Sequence, residues 1–449
     1  MEMKKALLLN PPGDQKYLRD YFCSTVSKTG YYWHPIDLLI QSGFLSKHYN
    51  VKVIDAIAEG ITQERSLHSI SEFKPDVIFS LISVLSYEHD IAFLSNIKEV
   101  SPDTHIFAIG EPFIEQPRLA LEKHTFLDGI LLSFIHDDIT AYMNNRFDEI
   151  KMMAFRKDGK IILQYLAGEH GRFSIPLPMH ELFPLKHYWM PFIMHHPFTS
   201  ILTSYGCPFT CSYCNSGTDS IGFLNRNIDE VMDELKYVKS LGIRHVFIKD
   251  MTFGIPKRHA LSLCEGIIKE RLDMTWHCYS RADVVDNDML KLMKAAGCNL
   301  IQFGVETSNE STLTKYNKGI PLNKTIQAFE LAHKHGILTG AHFIFGLPGD
   351  NLDDMKRTVE LAKRLKPAYV SLNIATSRYG TPLRNKLTVD KDKDEPIHDN
   401  IKKFVKKANM DFYMRPLYFA NLLRHIKTIT QLESILRESI GMVKYLLKN

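Results

Sequence analysis

From Ser200 to about Leu383 the sequence alternates six times between a strand period and a helix period. TSILTSYG, HVFIKD, WHCYSRAD, LIQFGVET, LTGAHFIFG and AYVSLNIAT are short runs rich in β-branched and aromatic residues, separated by amphipathic helical runs. In the first helical run Asn227 is placed as an N-cap, Ile228, Val231, Leu235 and Val238 share one face, and Gly242 is the stop. Gly297 and Gly336 stop later helices in the same way. Six such units without an internal sequence repeat predict a full or partial β/α barrel. Barrels of this kind carry their chemistry on the loops after the strands. The residues that close the runs, Cys207, Asp250, Arg281, Glu306, Gly346 and Thr376, are therefore the ones to examine.

The first third of the chain alternates as well. ALLLN (6–10), VKVID (51–55), DVIFSLIS (76–83), HIFAIG (105–110) and DGILLSF (128–134) read as strands, with helices at 35–47 and 89–100. This is the pattern of a doubly wound parallel sheet, which binds ligands beyond the carboxyl ends of its strands. The loops at Asn10–Gly13, after Ser80 and at Gly110–Pro112 fall there. The predicted organisation is an α/β chain with a Rossmann-like domain at 1–145, a surface-packed linker at 146–199, a partial (β/α)6 TIM-type barrel at 200–385 and a helical region at 386–449.

With 449 residues, 45% of them hydrophobic and 24% charged, the chain is long enough for two or three globular domains. A net charge of +4 gives little reason to expect a nucleic acid partner. The apolar run near the start, Ala6 to Leu9, is too short for a signal peptide or a membrane span, so a cytoplasmic protein is expected. Seven cysteines are an odd number, and in a reducing compartment they suggest metal binding or catalysis before disulfides.

Three of them, Cys207, Cys211 and Cys214, lie within TSYGCPFTCSYCNSG, on the loop after the first barrel strand. A disulfide uses two thiols and a closed zinc site four ligands. Three thiolates on a four-iron cluster leave one iron without a protein ligand, open to a cosubstrate. A zinc site completed by Cys264, Cys278, Cys298 or a histidine is the competing reading.

Cys-x3-Cys-x2-Cys with Tyr213 before the last cysteine resembles the signature of radical S-adenosylmethionine (SAM) enzymes. IKD (248–250), SRAD (280–283), GVET (304–307), HFIFGLPG (342–349) and RYGTP (378–382) are similar, in order, to the strand-end motifs of that family. The resemblance implies a [4Fe-4S] cluster on the three cysteines and SAM held by Asp250, Arg281, Gly304, Glu306 and Gly346. The implied chemistry is reductive cleavage of SAM to a 5′-deoxyadenosyl radical, with an external electron donor such as flavodoxin or ferredoxin.

LLLNPPG and VKVIDAIAEG ahead of such a core resemble the cobalamin-binding domain of one radical SAM subfamily, over about residues 1–145. The resemblance implies cobalamin near Asn10, Pro11, Ser83 and Gly110. No Asp-x-His-x-x-Gly string occurs; in Asp55-Ala-Ile-Ala-Glu-Gly60, Ile57 stands where that motif has histidine. The implied reaction is C-methylation of a hydrophobic small molecule or lipid, and the alternative is a cyclisation, rearrangement or oxidation by the same architecture. Transfer-RNA modification would call for an RNA-binding module after the barrel, and the tail reads as helical. From Ile401 onward ten Lys or Arg face three acids, and Leu422, Ile426, Ile429, Leu432, Ile435 and Leu436 recur at helical spacing. This suits a helical cap over the barrel, with peripheral membrane contact as the sharper reading.

Overall fold

A computed structural model describes residues 3–20, 24–166, 170–215, 222–387, 395–416, 418, 422 and 426–447. Cys23, Arg424 and Lys448 lie outside them. The chain forms two compact units, Met1–Met190 and Pro191–Asn449.

In the first unit the apolar runs become β1 (Lys5–Asn10), β2 (Asn50–Asp55), β3 (Val77–Leu81), β4 (His105–Ile109) and β5 (Gly129–Leu131). They lie parallel in the order β2-β1-β3-β4-β5. Every residue of β3 and all but the first of β1 are buried, as expected for strands covered on both faces. The chain leaves β1 toward β2 on one side and returns to β3 on the other, so the topological switch point lies between β1 and β3.

The stretch expected as a linker contributes to this sheet. Met153–Lys157 (β6) and Lys160–Gln164 (β7) add two antiparallel strands beyond β5. The turn between them is Asp158-Gly159, both at positive φ (49° and 73°), the two-residue hairpin chemistry that matches strand twist. The unit therefore runs to Met190, well beyond the expected boundary at 145.

The second unit holds β8 (Thr199–Ile201), β9 (His245–Ile248), β10 (Thr275–Ser280), β11 (Cys298–Glu306), β12 (Leu338–Phe345) and β13 (Tyr369–Ile374). They pair in sequence order, all parallel, and among the described residues β8 and β13 do not close on each other. This is the expected partial barrel. Asn227 caps the helix Ile228–Ser240 by accepting from the Asp229 amide (3.2 Å). Gly242, Gly297 and Gly336 all sit at positive φ. The run TSILTSYG is not one strand. Its second half, Ser204–Gly206, leaves the sheet and pairs antiparallel with Phe223–Arg226, which brackets the cysteine loop.

The tail is helical at Glu395–Tyr413 and Ile429–Leu447. The first helix covers the open edge of β13, where the Tyr413 hydroxyl bonds both the N–H (3.1 Å) and the C=O (2.9 Å) of Val370; edge strands are commonly protected this way. The second packs Ile435 with Leu422 against Phe192, Leu300 and Leu338 near the amino ends of β11 and β12. Its opposite side exposes Ile429, Leu432, Leu436, Ile440, Val443 and Leu447, each 39–78% accessible. Among the described residues no helix is long and apolar enough to cross a membrane.

Candidate active site

The cysteine loop is tied down at both sides. The Ser212 amide donates to the Tyr316 carbonyl and the Ser212 carbonyl accepts from the Leu383 amide (both 2.9 Å). Tyr213 packs with Tyr316, Leu347 and Leu383. Cys207, Cys211 and Cys214 are all partly exposed. Burial pushes the Cys207 thiol upward, so binding a metal there must displace its proton. Among the described residues no three His, Cys, Asp or Glu side chains converge tightly enough to hold a single metal ion. A cubane makes a different demand, since each thiolate takes its own iron, and three partly exposed thiols on one pinned loop fit it. Cys264, Cys278 and Cys298 are buried near one another, and burial raises the Cys264 and Cys278 thiols. They are inert packing groups.

Asp250, at the carboxyl end of β9, is fully engaged. It accepts from the amides of Thr203 (2.7 Å) and Ser204 (3.0 Å) and from the Thr203 hydroxyl. These residues form the corner where the chain leaves β8 for the cysteine loop, so Asp250 fixes the loop's point of departure. A buried ion pair, Arg226 with Glu234, braces the returning strand, and the Arg226 amide donates to the Thr203 carbonyl (2.9 Å).

Arg281 bridges the cysteine loop and a loop after β11. Its guanidinium lies 3.6 Å from the Phe209 ring centroid and donates to Cys211 Sγ (3.6 Å), to the Lys318 carbonyl (2.9 Å) and to both Asp283 oxygens. The pairing with Asp283 and a place beside the cysteines are thus both realised. Glu306 ends β11 at φ 68°, a left-handed conformation costly for a residue with a side chain. Its carboxylate accepts from Lys318 Nζ at 3.0 Å, with both side chains nearly buried. A Cβ on Gly304 would stand 2.5 Å from Glu306 Oε1 and 2.9 Å from Lys318 Nζ. A side chain at Gly304 would have to displace the ends of that pair. Gly346 is also at positive φ (77°), and its open side is filled by Ile401, 2.6 Å from where a Cβ would stand.

Lys318, Thr203, Phe209 and Tyr316 were not among the residues expected from sequence. Only the Asn317-Lys318-Gly319 turn carries a signal, with Asn317 and Gly319 at positive φ around the lysine.

In the first unit, Asn10, Pro11 and Ser83 meet around one buried ion pair at the β1/β3 switch point. Arg19 pairs with Asp90 through two bonds (3.0 and 2.6 Å), both side chains being fully buried. Arg19 also donates to Asn10 Oδ1 (3.0 Å) and the Pro11 carbonyl (2.8 Å), while Asp90 accepts from the Ser83 amide (3.0 Å). The Asn10 amide group donates to Asp55 (2.9 Å) and to the Tyr32 hydroxyl (2.6 Å), and Tyr188 donates to Asp55 (2.9 Å). Gly110 has the Ile82 carbonyl oxygen 2.0 Å from its missing Cβ. Beside this network, a cleft of about 450 Å³ opens at the ends of β1 and β2, with Gly13, Lys16, Ile57, Gly60, Thr62 and His89 on its walls.

A triple-cysteine loop thus follows the first strand of an open six-stranded β/α barrel, and residues 201–362 match the Radical SAM superfamily. Among proteins of similar sequence is an uncharacterized methyltransferase of Pyrococcus horikoshii, 26% identical over 93% of this chain and 94% of its own. Two solved structures share the fold. The cobalamin-dependent SAM radical enzyme OxsB, with aqua-cobalamin and SAM bound, is 16% identical, covers 98% of this chain and 72% of its own, and has a TM-score of 0.69. The radical SAM methyltransferase TsrM from Kitasatospora setae, with cobalamin and a [4Fe-4S] cluster bound, is 17% identical, covers 85% and 77%, and has a TM-score of 0.66.

Proposed function

We propose that this chain is a cobalamin-dependent radical SAM C-methyltransferase acting on a small molecule. The observation that carries this is the combination, in one chain, of a β2-β1-β3-β4-β5 doubly wound sheet and a six-stranded radical SAM barrel. The similarity to a methyltransferase over nearly the whole length of both proteins supports it.

When bound, a [4Fe-4S] cluster with SAM supplies a radical that abstracts hydrogen from carbon, and cobalamin supplies a methyl carrier. Cys207, Cys211 and Cys214 hold the cluster. Arg281 donates toward Cys211 Sγ and so links the cysteine loop to the end of β10. Asp250 positions the loop through Thr203 and Ser204. Glu306 and Lys318 present a nearly buried, neutralised pair at the carboxyl end of β11, suited to polar groups of SAM, with Gly304 leaving space beside it and Gly346 a further candidate contact for SAM. In the first unit the loops of Asn10, Pro11, Ser83 and Gly110 frame the strand ends, and these loops with the adjoining cleft would hold cobalamin. Ile57 on its wall offers no imidazole, which suits a corrin held without a histidine from that position. A flavodoxin or ferredoxin supplies the electron.

The exposed stripe from Ile429 to Leu447 lies on a basic tail; it favours peripheral contact with an anionic membrane, tested by co-sedimentation with anionic and neutral vesicles. The enzymatic reading is tested by anaerobic reconstitution with SAM carrying a deuterated methyl group, a reductant and cobalamin. Release of 5′-deoxyadenosine together with a labelled methylated product supports it. Release of 5′-deoxyadenosine with an unlabelled, rearranged or cyclised product refutes methyl transfer.

A further inference from the structure

Cys207 and Cys211 each lie beside a side chain from another element, and the two neighbours differ in what they offer a sulfur. Thr252 Oγ1 is 3.5 Å from Cys207 Sγ, but its proton goes to the Met251 carbonyl (2.8 Å), so it is no donor to the sulfur. Arg281 is a donor. Its Nη1 lies 3.6 Å from Cys211 Sγ, and the guanidinium rests on the ring of Phe209 in the same loop.

The other nitrogens of Arg281 show why this contact is fixed. Nε donates to one Asp283 oxygen (3.0 Å), and Nη2 donates to the other (2.9 Å) and to the Lys318 carbonyl (2.9 Å). These three bonds set the plane of a side chain that is only 7% exposed, and the plane aims Nη1 at Cys211. The same turn that supplies the Lys318 carbonyl also faces Cys211, whose Sγ lies 3.8 Å from the Asn317 carbonyl. Three loops therefore meet on one guanidinium.

We propose that Arg281 is a positioning residue that sets the reduction potential of the cluster by directing one N–H at the Cys211 sulfur. This rests on the radical SAM reading of the site and adds a role separate from contact with SAM. Reduction makes a cluster more negative, and a hydrogen-bond donor at a ligand sulfur stabilises that state more than the oxidised one. Asp283 offsets the charge of the guanidinium, so the directed N–H carries the effect.

The test uses the full-length protein reconstituted anaerobically with iron and sulfide, without SAM. Samples are poised with redox mediators at the midpoint potential of the unaltered protein, and the reduced fraction is read by electron paramagnetic resonance. In Arg281→Met the ratio of reduced to oxidised cluster should fall about tenfold, the least that outer partners of metal ligands are typically worth. For one electron this is a shift of about 59 mV to more negative potential. Arg281→Lys keeps the charge, but a single ammonium cannot span Asp283, the Lys318 carbonyl and Cys211, so its ratio should fall nearly as far. Iron and sulfide content establishes loading, and if Arg281→Met retains no iron, Arg281→Lys decides alone. Equilibrium dialysis of SAM against the oxidised proteins separates the two roles. An unchanged ratio in the loaded variants overturns the inference, whether or not SAM binding weakens. A fall in Arg281→Met without one in Arg281→Lys overturns it too, because charge alone would then act, and loss of iron from both leaves Arg281 a structural clamp. Absence of a four-iron signal from the unaltered protein refutes the radical SAM reading itself; a normal signal with an unshifted potential overturns only the role of Arg281.

Discussion

Lys318 Nζ reaches Glu306 Oε1 at 3.0 Å in space that Gly304 leaves empty, with both side chains less than a tenth exposed. Breaking a buried pair from one side strands the other charge. Lys318→Met should therefore destabilise the barrel by about 3 kcal/mol, and Glu306→Gln by less, because its amide oxygen still accepts from Lys318. Denaturant unfolding of the three proteins checks this; equal stability of all three would mean the pair is solvated in solution.

The cysteines separate cluster from packing. Alanine at Cys207, Cys211 or Cys214 should abolish binding of iron and sulfide after reconstitution, while alanine at Cys264, Cys278 or Cys298 should leave both unchanged. Loss of metal from one of the buried three would restore the zinc reading.

Gly346 is constrained twice, by its left-handed φ and by Ile401. Gly346→Ala should cost about 2–4 kcal/mol from strain and overpacking. Adding Ile401→Ala should recover the overpacking part, seen as a non-additive double-mutant cycle. If SAM also approaches this glycine, stability returns in the double variant and 5′-deoxyadenosine release does not.

Asp250→Ala removes three hydrogen bonds at the corner before the cysteine loop. The expected outcome is a loop that no longer holds its register, read as at least a severalfold loss of iron retained through gel filtration. Asp250→Asn keeps acceptors for the two amides and should retain more iron than alanine does.

Burial raises the Asp55 carboxyl from its ordinary range to about 6, despite bonds from Ala58, Tyr188 and Asn10. The folded protein then holds this proton more tightly than the unfolded chain. Asp55 therefore favours folding below about pH 4, and that contribution is lost as pH rises through about 6. Relative to Asp55→Asn, the unaltered protein should lose up to about 3 kcal/mol between pH 4 and pH 7. Calorimetric midpoints of the two proteins across that range provide the measurement.

Strand ends were legible because a parallel βα repeat leaves little freedom: each strand must end where solvent and a loop begin, and Gly242, Gly297 and Gly336 mark the helix stops. Cys207, Asp250, Arg281 and Glu306 follow from that rule. Their partners do not. Lys318 reaches Glu306 from a separate loop, and Arg19 pairs with Asp90 from 71 positions away, so no local pattern announces either. The hairpin at Asp158-Gly159 did carry a turn signal, but the basic and aromatic residues around it hide the alternation of its strands. Asp250 shows the limit of reading a strand end as a ligand site, since its oxygens are taken by the chain itself.

The stitching of Ser212 to Tyr316 and Leu383 also sets an order of events in biogenesis. The loop that carries the thiols gains its final shape only after segments synthesised long afterwards have folded against it. A chain synthesised as far as Leu383 can offer iron and sulfide the pinned loop, whereas a ribosome-bound fragment ending soon after Cys214 lacks both partners of Ser212.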